Sequence, residues 1–276
     1  MRRSLWGLLL VVPLTALGQG KDAKVAAPAT TPAAGEAART VAAPGAPGIN
    51  WEGQVLRATG SGAPDLKAAN PAQARLGAER AAKMDAFRNL LERAKGIQVS
   101  AGRTVADEWA REEVKGRVEG AIKGYKVVAR RYFSDSGVEL DVEVPLAALS
   151  AALIPAQDAA IVLNAGGAKK YTGLVVDARG LGLKPVLAPR LVDAAGKPLY
   201  GATVLTEEAR SATGVAAWFD SLDAAKKASL VGDKPLVVKA AELQGSDLVL
   251  SAEGARALTE ANTRFLAEGR VAIVTQ

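Results

Sequence analysis

The side chains that could carry out catalysis in this sequence are mainly carboxylates, because the 276 residues include neither histidine nor cysteine. Without those residues, Ser-His-Asp and Cys-His mechanisms and the usual zinc sites cannot be built. The sequence also lacks Ser-x-x-Lys, Gly-x-Ser-x-Gly and the Gly-x-x-x-x-Gly-Lys loop of nucleotide hydrolases. We therefore expect no catalytic residue, no metal site and no cofactor.

Two adjacent carboxylate pairs, Glu112-Glu113 and Glu207-Glu208, are candidates for acid–base chemistry. Neighbouring residues on a helix point about 100° apart, so the members of each pair do not face one another. Solvation of both pairs on a helix surface is the simpler interpretation. A glycosidase, which needs two carboxyls roughly 5–10 Å apart in a cleft, stays open as an alternative.

A denser group of polar residues lies on the longest predicted helix. It comprises Arg80, Asp85, Arg88, Asn89 and Glu92. Arg88 can reach Asp85 three residues before it and Glu92 four residues after it. These side chains either cap strand ends and pair with the second helix, which is the favoured interpretation, or form a partner-binding face. Asp177 and Arg179, at the end of a predicted strand, have the same structural and functional interpretations.

One glycine-rich fragment, Gly180-Leu181-Gly182, begins like a dinucleotide-binding fingerprint. Its third glycine is missing, and Pro185 leads into a predicted strand rather than a helix. The phosphate-binding geometry of that fingerprint requires a helix at this point, so we expect no cofactor here.

The first 18 residues have the layout of a secretory signal peptide. Arg2 and Arg3 precede an apolar run over residues 5–14, about half of the roughly 20 residues that a membrane-spanning helix needs. The small residues Ala16 and Gly18 predict cleavage between Gly18 and Gln19. Because there is no cysteine, neither a lipidated N-terminus nor a disulfide can form. We predict a soluble periplasmic protein that associates with the outer membrane, if at all, through contacts.

The charge and composition argue against a nucleic-acid partner. The net charge is +6, but acids are interspersed with the bases and only 4% of residues are aromatic, which leaves few platforms for stacking bases. Residues 19–48 are rich in alanine, proline, threonine and glycine without apolar periodicity, which predicts a disordered linker. No later apolar stretch reaches membrane-spanning length, so we expect no transmembrane segment in the mature chain.

The fold class expected after this linker is α+β: two small domains, each with helices packed on a mixed or antiparallel sheet. In the first domain, residues 50–155, a strand over 53–59 and a turn over 60–65 precede a long helix. Asn70 is its predicted N-cap, Pro71 its first residue and Gly96 its stop. Apolar residues at three- or four-residue spacing predict its core-facing stripe: Leu76, Met84, Phe87, Leu90, Leu91 and Ala94.

A second helix and a hairpin complete the first domain. Thr104 and Asp107 resemble a capping box that opens a helix running to about residue 122. Strands over 125–133 and 137–144 flank a turn, and the return strand alternates apolar and acidic residues. A short helix follows Pro145.

Residues 165–276 predict a second α/β domain of unknown function, after a junction at residues 164–170. Strands are predicted over 172–178, 186–192, 234–243, 247–250 and 270–275. Ser251 caps one helix that ends at Gly269. The strand–helix–strand order at the end of the chain favours a right-handed crossover.

The long predicted helix carries a resemblance to a known family. Its residues read Ala-Glu-Arg80-Ala-Ala-Lys-Met-Asp85-Ala-Phe-Arg88-Asn89-Leu-Leu-Glu92-Arg-Ala-Lys-Gly96-Ile-Gln-Val99, preceded by Gly60-Ser-Gly62 and Ala-Asn-Pro71-Ala-Gln-Ala. Residues 50–150 thereby resemble the Lpp-twenty (Lpp20-like) lipoprotein family of bacterial envelopes and, in outline, the amino-terminal domain of the flagellar assembly protein FlgT. The resemblance implies a small α+β domain with a non-enzymatic envelope role. This sequence departs from those lipoproteins in having no lipidation cysteine.

The hypothesis that follows is a non-enzymatic periplasmic protein that binds an envelope protein and assists assembly. Flagellar basal-body components are one class of candidate partner. Two alternatives stay open: a carboxylate-dependent hydrolase of cell-wall glycans, and a passive structural protein bound to peptidoglycan.

Overall fold

The structure, a computed structural model, describes residues 46–154, 161–167 and 169–276. The predicted signal peptide, its cleavage site and residues 19–45 of the predicted linker lie outside the described residues. The described residues belong to one unit, Pro44–Gln276, which combines helices with a four-stranded antiparallel sheet and a seven-stranded mixed sheet. This confirms the predicted α+β class. None of the described helices is long and apolar enough to cross a membrane.

The part of the chain that ends at residue 153, here called the first region, contains the antiparallel sheet. Its elements are β1 (Gly48–Asn50), β2 (Val55–Gly62), α1 (Pro71–Lys95), β3 (Gln98–Ser100), β4 (Arg103–Thr104), α2 (Val105–Glu108), α3 (Glu112–Lys123), β5 (Lys126–Tyr132), β6 (Val138–Pro145) and α4 (Leu146–Leu153). The strand order is β1-β2-β6-β5, and β3 pairs with β4. The predicted hairpin is confirmed as β5–β6, and α4 follows Pro145 as expected.

Helix α1 has the predicted ends but only part of the predicted core-facing stripe, since Leu90 and Ala94 are buried and Phe87 and Leu91 pack partly buried against the core. The Asn70 side chain accepts a hydrogen bond from the amide of Gln73, and the helix ends before Gly96. The side chains that α1 buries are small, apart from one leucine: Ala74, Ala78, Ala82, Ala86, Leu90 and Ala94. The expected core positions Leu76 and Met84 are instead exposed.

Two glycines explain this correction. Gly60 and Gly62, predicted to lie in a turn, extend β2 and pair with Leu140 and Val138 of β6. A Cβ at Gly62 would lie 1.9 Å from the carbonyl oxygen of Ala78. The helix backbone therefore sits so close to the strand that only small side chains fit between them.

The predicted second helix is two helices. The capping box of Thr104 and Asp107 is confirmed, but it opens only α2, and α3 begins at Glu112. Between them Arg111 leaves helical geometry, with φ −91° and ψ 111°. Arg111 pairs with the buried carboxylate of Glu108 three residues before it.

The chain after residue 164, here called the second region, contains the mixed sheet. Its elements are β7 (Lys169–Lys170), β8 (Gly173–Asp177), β9 (Arg190–Val192), β10 (Pro198–Tyr200), a 3₁₀ helix (Ala202–Val204), α5 (Glu207–Ala212), β11 (Ala217–Phe219), α6 (Leu222–Lys227), β12 (Pro235–Gln244), β13 (Asp247–Leu250), α7 (Ala252–Glu260), β14 (Ala261–Asn262), α8 (Arg264–Ala267) and β15 (Val271–Val274). The strand order is β10-β9-β13-β12-β8-β15-β11. Strands predicted over 172–178, 234–243, 247–250 and 270–275 are found, whereas the strand predicted over 186–192 is reduced to β9.

The last part of the second region differs from the prediction in two ways. The helix capped by Ser251 ends at Glu260 because residues 261–262 pair with β7, and the amide of Thr263 donates to the carbonyl of Asn164 at 2.9 Å. The strands on either side also run antiparallel, since β13 is antiparallel to β12 while β12 and β15 are both parallel to β8. The expected right-handed crossover, which joins parallel strands, is therefore wrong.

Backbone hydrogen bonds join the two regions. The amide of Leu187 donates to the carbonyl of Gln98 at 3.0 Å, and the amide of Ala188 donates to that of Val99 at 2.9 Å. The amide of Ala101 donates to Ser246 Oγ at 2.7 Å. The division into domains at residues 50–155 and 165–276 stays a prediction.

Candidate functional site

The predicted polar cluster on α1 divides into two groups. Asp85 and Asn89 face the sheet: the amide of Ser61 donates to Asp85 Oδ2 at 2.9 Å, and Asn89 Nδ2 donates to the carbonyl of Thr59 at 2.9 Å. Asn89 Nδ2 also lies 3.2 Å from Asp85 Oδ2. These two side chains fasten α1 to β2, as the structural interpretation expected.

The other three members of the cluster lie on the opposite side of the helix. With two apolar residues they form a row at four-residue spacing, here called the outer ridge: Leu76, Arg80, Met84, Arg88 and Glu92. Leu76 is 58% exposed and Met84 is 68% exposed. The row points away from the alanines that α1 buries, because residues four apart share one side of a helix.

The ion pairs of the outer ridge differ from those expected. Glu92 pairs with Lys95 Nζ at 3.3 Å rather than with Arg88. Among the described residues, neither Arg80 nor Arg88 has a carboxylate within ion-pair distance. The two arginines therefore flank Met84 as cations without an internal partner.

Further apolar and cationic side chains lie near the first half of α1. The guanidinium of Arg75 lies 5.6 Å from the centre of the Tyr132 ring, which places the end of the β5–β6 hairpin beside the helix. Tyr132, Phe133 and Leu66 are all exposed. Lys83 pairs with Glu79 at 2.8 Å, and its hydrogen bond holds the pKa of Glu79 below the usual value, with a smaller contribution from Arg130.

Asp177 and Arg179, the two candidates in the second region, form an ion pair with each other. Arg179 Nε and Nη2 donate to the two carboxylate oxygens of Asp177, each at 2.8 Å. This hydrogen bonding lowers the pKa of Asp177 from its ordinary value. Asp177 ends β8, and Gly180 and Gly182 after it both adopt positive φ. These two parallel hydrogen bonds stabilise the turn that follows β8, which favours the structural interpretation.

The four glutamates of the adjacent pairs begin helices. Glu112 and Glu113 lie in the first turn of α3 and pair with Lys115 and Arg117 on the helix surface. Glu207 and Glu208 lie exposed in the first turn of α5. Carboxylates in the first turn stabilise a helix through their interaction with its dipole, in line with the solvated-surface interpretation.

Sequence reasoning missed a cavity of about 670 Å³ between the two regions, here called the junction cavity. Charged residues from both regions line it: Arg103, Glu108, Arg111, Arg190 and Asp247. Their places in the sequence give little signal, because Glu108 looks like any surface residue of a predicted helix.

Ion pairs organise the charged wall of this cavity. The Glu108 side chain is only 6% exposed and pairs with both Arg103 and Arg111, which are 59% and 56% exposed. Arg190 Nε donates to Asp247 Oδ1 at 2.9 Å, and a second bond joins Nη2 to Oδ2. The bond to Asp247 raises the pKa of Arg190, so this guanidinium stays charged.

A buried phenol lies beside these charges. Tyr200 also lines the cavity, and its hydroxyl donates to the carbonyl of Val215 at 2.5 Å. Burial raises the pKa of Tyr200 above its ordinary value, so the phenol is neutral. In the part of the chain that the structure describes, no group of three or more carboxylates could hold a metal ion.

Comparison with known families concerns the second region. Residues 173–276 match the family model described as Treponema pallidum Tp0624, second domain. The match includes Asp177, Arg179, Arg190 and Asp247. It does not reach residues 50–150, so the resemblance of that stretch to the Lpp-twenty family stays a prediction. Comparison with curated proteins finds no significant match.

Proposed function

We propose that this protein is an exported, non-catalytic protein of the bacterial cell envelope that binds a partner protein through the outer ridge of α1. The observation that carries the proposal is the row itself. Large apolar side chains alternate there with arginines on a helix whose opposite side is buried against the sheet. Burying a side chain such as Leu76 or Met84 against a partner would contribute about 1.5–3 kcal/mol.

The charges of the ridge indicate the kind of partner. Arg80 and Arg88 have no acidic partner among the described residues, and Arg75 adds a cation near the same end of the helix. A partner surface with an apolar centre and carboxylates around it complements this arrangement. Envelope assembly proteins, including flagellar basal-body components, are the partner class we favour.

The amino-terminal sequence supports the compartment of this proposal. A basic start, a short apolar run and small residues at 16 and 18 are typical of a removable signal peptide. With no cysteine to carry a lipid, the periplasm is the proposed location. Attachment to the outer membrane would then depend on the bound partner.

The hydrolase alternative rests on one observation. Glu108 and Asp247 both line the junction cavity, so one cleft contains two carboxylates. Each is engaged in ion pairs with arginines, whereas a glycosidase uses one of its two carboxyls as a proton-donating acid. Release of soluble fragments from purified peptidoglycan, abolished by Glu108→Gln or Asp247→Asn, would establish the hydrolase instead.

The main experiment is site-specific photocrosslinking of the full chain in intact cells. A photoreactive residue at position 80 or 84 should give one discrete adduct with an envelope protein. The matched control is position 237, an exposed apolar site on β12 of the second region, where that adduct should be absent. With the photoreactive residue at position 80, the double substitution Leu76→Ser, Met84→Ser should remove the adduct.

Two results would contradict this proposal. Identical adducts at positions 80, 84 and 237 would show collision with abundant proteins rather than docking. Sedimentation of the purified protein with isolated peptidoglycan, unaffected by Leu76→Ser and Met84→Ser, would favour the passive structural alternative. Deletion of the gene without loss of motility in a flagellated host would exclude the flagellar partner.

A further inference from the structure

We propose that the junction cavity binds a small organic carboxylate that carries an apolar group. This site uses none of the outer ridge and is independent of the protein-binding proposal. The charged wall and the apolar lining of the cavity each specify one part of the ligand.

The charged side chains that line the cavity carry an excess of positive charge, which favours an anionic ligand. Of the residues that the structure describes, three arginines line the cavity, Arg103, Arg111 and Arg190, against the two carboxylates of Glu108 and Asp247. One positive charge is therefore left over among these five residues. Each arginine remains more than half exposed, so its guanidinium is accessible to a molecule in the cavity.

The internal ion pairs leave hydrogen-bond donors for that anion. A guanidinium has five N–H donors in a fixed plane. Arg103 and Arg111 each contact Glu108 through one nitrogen, Nη2, and Asp247 occupies Nε and Nη2 of Arg190. The two carboxylates thus orient the arginines while leaving several guanidinium donors without a partner among the described residues. A ligand carboxylate matches such forks better than a spherical anion does.

The rest of the lining specifies the apolar part of the ligand. The lining apolar side chains that keep exposed surface are Ile154, Ile161, Ala188 and Pro198. Tyr200 is only 1% exposed and its hydroxyl is bonded to Val215, so it offers neither a free donor nor much surface. The volume, about 670 Å³, lies within the range of about 300–1,000 Å³ typical of small-molecule sites.

The cavity is built from both regions at their hydrogen-bonded junction. The bond from the amide of Ala101 to Ser246 Oγ lies in its wall. A ligand that contacts Arg103 and Arg190 together would bridge the regions, and it should raise the thermal stability of the whole unit.

The test uses the purified full chain with three probes: N-acetyl-leucine, its neutral amide and inorganic phosphate. Calorimetric titration and thermal unfolding should show saturable binding of N-acetyl-leucine and a rise in Tm. The amide, which has the same apolar group without the charge, should bind about tenfold more weakly or not at all. Phosphate, an anion without an apolar group, should also bind more weakly.

Two sets of variants separate this site from other arginines. Arg103→Lys with Arg111→Lys, and separately Arg190→Lys, keep the charge but remove the planar fork. Each should weaken N-acetyl-leucine binding about tenfold while the folded state persists. Arg179→Lys is the matched control, because Arg179 forks a carboxylate outside the cavity lining, and it should leave binding unchanged.

Several results would overturn the proposal. Equal affinity for the acid and the amide would remove the role of the arginines, and phosphate binding as tight as that of N-acetyl-leucine would leave only a general anion site. Equal weakening by Arg179→Lys would indicate surface charge alone. Absence of binding at millimolar N-acetyl-leucine would also refute it.

Discussion

The two sheets of this molecule are buried in different ways. In β8 and β15 successive residues enter different cores: Leu174, Val176 and Ile273 lie in one hydrophobic cluster, whereas Val175 and Ala272 lie in another. In the first region, only one side of β6 is apolar. Its other side carries ion pairs across neighbouring strands, between Arg57 and Glu143 and between Arg131 and Asp141.

The side chains that fill the two regions add a second contrast. The second region fills its core with large side chains, including Trp218, Tyr200 and Phe265. The first region packs α1 on β2 through alanines and the glycines at 60 and 62. Close backbone approach replaces large side chains there, so the larger residues Leu76 and Met84 lie on the outside. Along α1, the size of an apolar residue does not predict its burial.

Truncating a large residue in the second region should have the largest effect. Trp218→Ala removes a buried indole whose Nε1 donates to the carbonyl of Val186 at 3.1 Å. The free energy of unfolding should fall by about 4 kcal/mol, measured by denaturant titration. Leu76→Ala on the outer ridge should change it by less than about 0.5 kcal/mol. Similar losses of stability for both variants would contradict the contrast between the buried large residues of the second region and the exposed ones of α1.

Enlarging a small residue in the first region should come next. A Cβ at Gly62 would collide with the backbone of α1, so Gly62→Ala should lower the free energy of unfolding by about 3 kcal/mol. Gly77→Ala is the control within α1 itself. No atom lies within 4 Å of a Cβ there, and alanine should stabilise the helix by up to about 1 kcal/mol. A neutral Gly62→Ala would show that α1 can move away from β2.

The charged side of the first sheet predicts a dependence on pH. Hydrogen bonds from Arg131 hold the pKa of Asp141 below its ordinary value, with a further bond from Thr59 Oγ1 at 2.7 Å. The ionised carboxylate thus stabilises the fold fully above its unfolded pKa of about 3.9. That contribution is lost as the pH falls through the lower folded-state pKa.

Substitution of this residue isolates the contribution. Asp141→Asn should lower the free energy of unfolding at pH 7 by about 2 kcal/mol, because charge-assisted hydrogen bonds are lost. Below about pH 4 the difference from the parent protein should shrink, as measured by urea titrations over a pH series. Asp177→Asn, which loses side-chain hydrogen bonds to a single partner, Arg179, should cost less than the loss of bonds to both Arg131 and Thr59. A pH-independent difference would place the effect in packing rather than in charge.

The smallest change in stability is expected at the outer ridge. Leu76→Ser together with Met84→Ser should alter the free energy of unfolding by no more than about 0.5 kcal/mol, because both side chains are exposed. Thermal and denaturant unfolding measure this. A loss of several kcal/mol would show that these residues support the fold, and the loss of a crosslink would then no longer indicate docking.

Much of the fold follows from local patterns in the sequence. The caps at Asn70 and Thr104, the alternation along β6 and the strands over 172–178 and 270–275 are confirmed, because turn chemistry and side-chain period are local properties. At Leu76 and Met84 the predicted burial was wrong, because the close approach of α1 to β2 depends on Gly60 and Gly62, ahead of the helix in the sequence.

The candidate sites were predicted only in part. Arg80, Arg88 and Glu92 could be named from the helix, but their separation from Asp85 and Asn89 depends on which side the sheet covers. The junction cavity could not be predicted. Its charged residues come from separate elements, and only the pairing of residues 98–101 with residues 187–188 and 246 brings them together.

That pairing also sets an order in time. Ala101 and Ser246, joined by a hydrogen bond, are 145 positions apart in the chain. A chain made from its amino end completes β3 long before residues 187–188 and 246 exist, and contacts between such distant residues form slowly. Until those residues have been made, the edge of β3 that does not pair with β4 has no partner. A newly made chain should need protection there until its last third has followed.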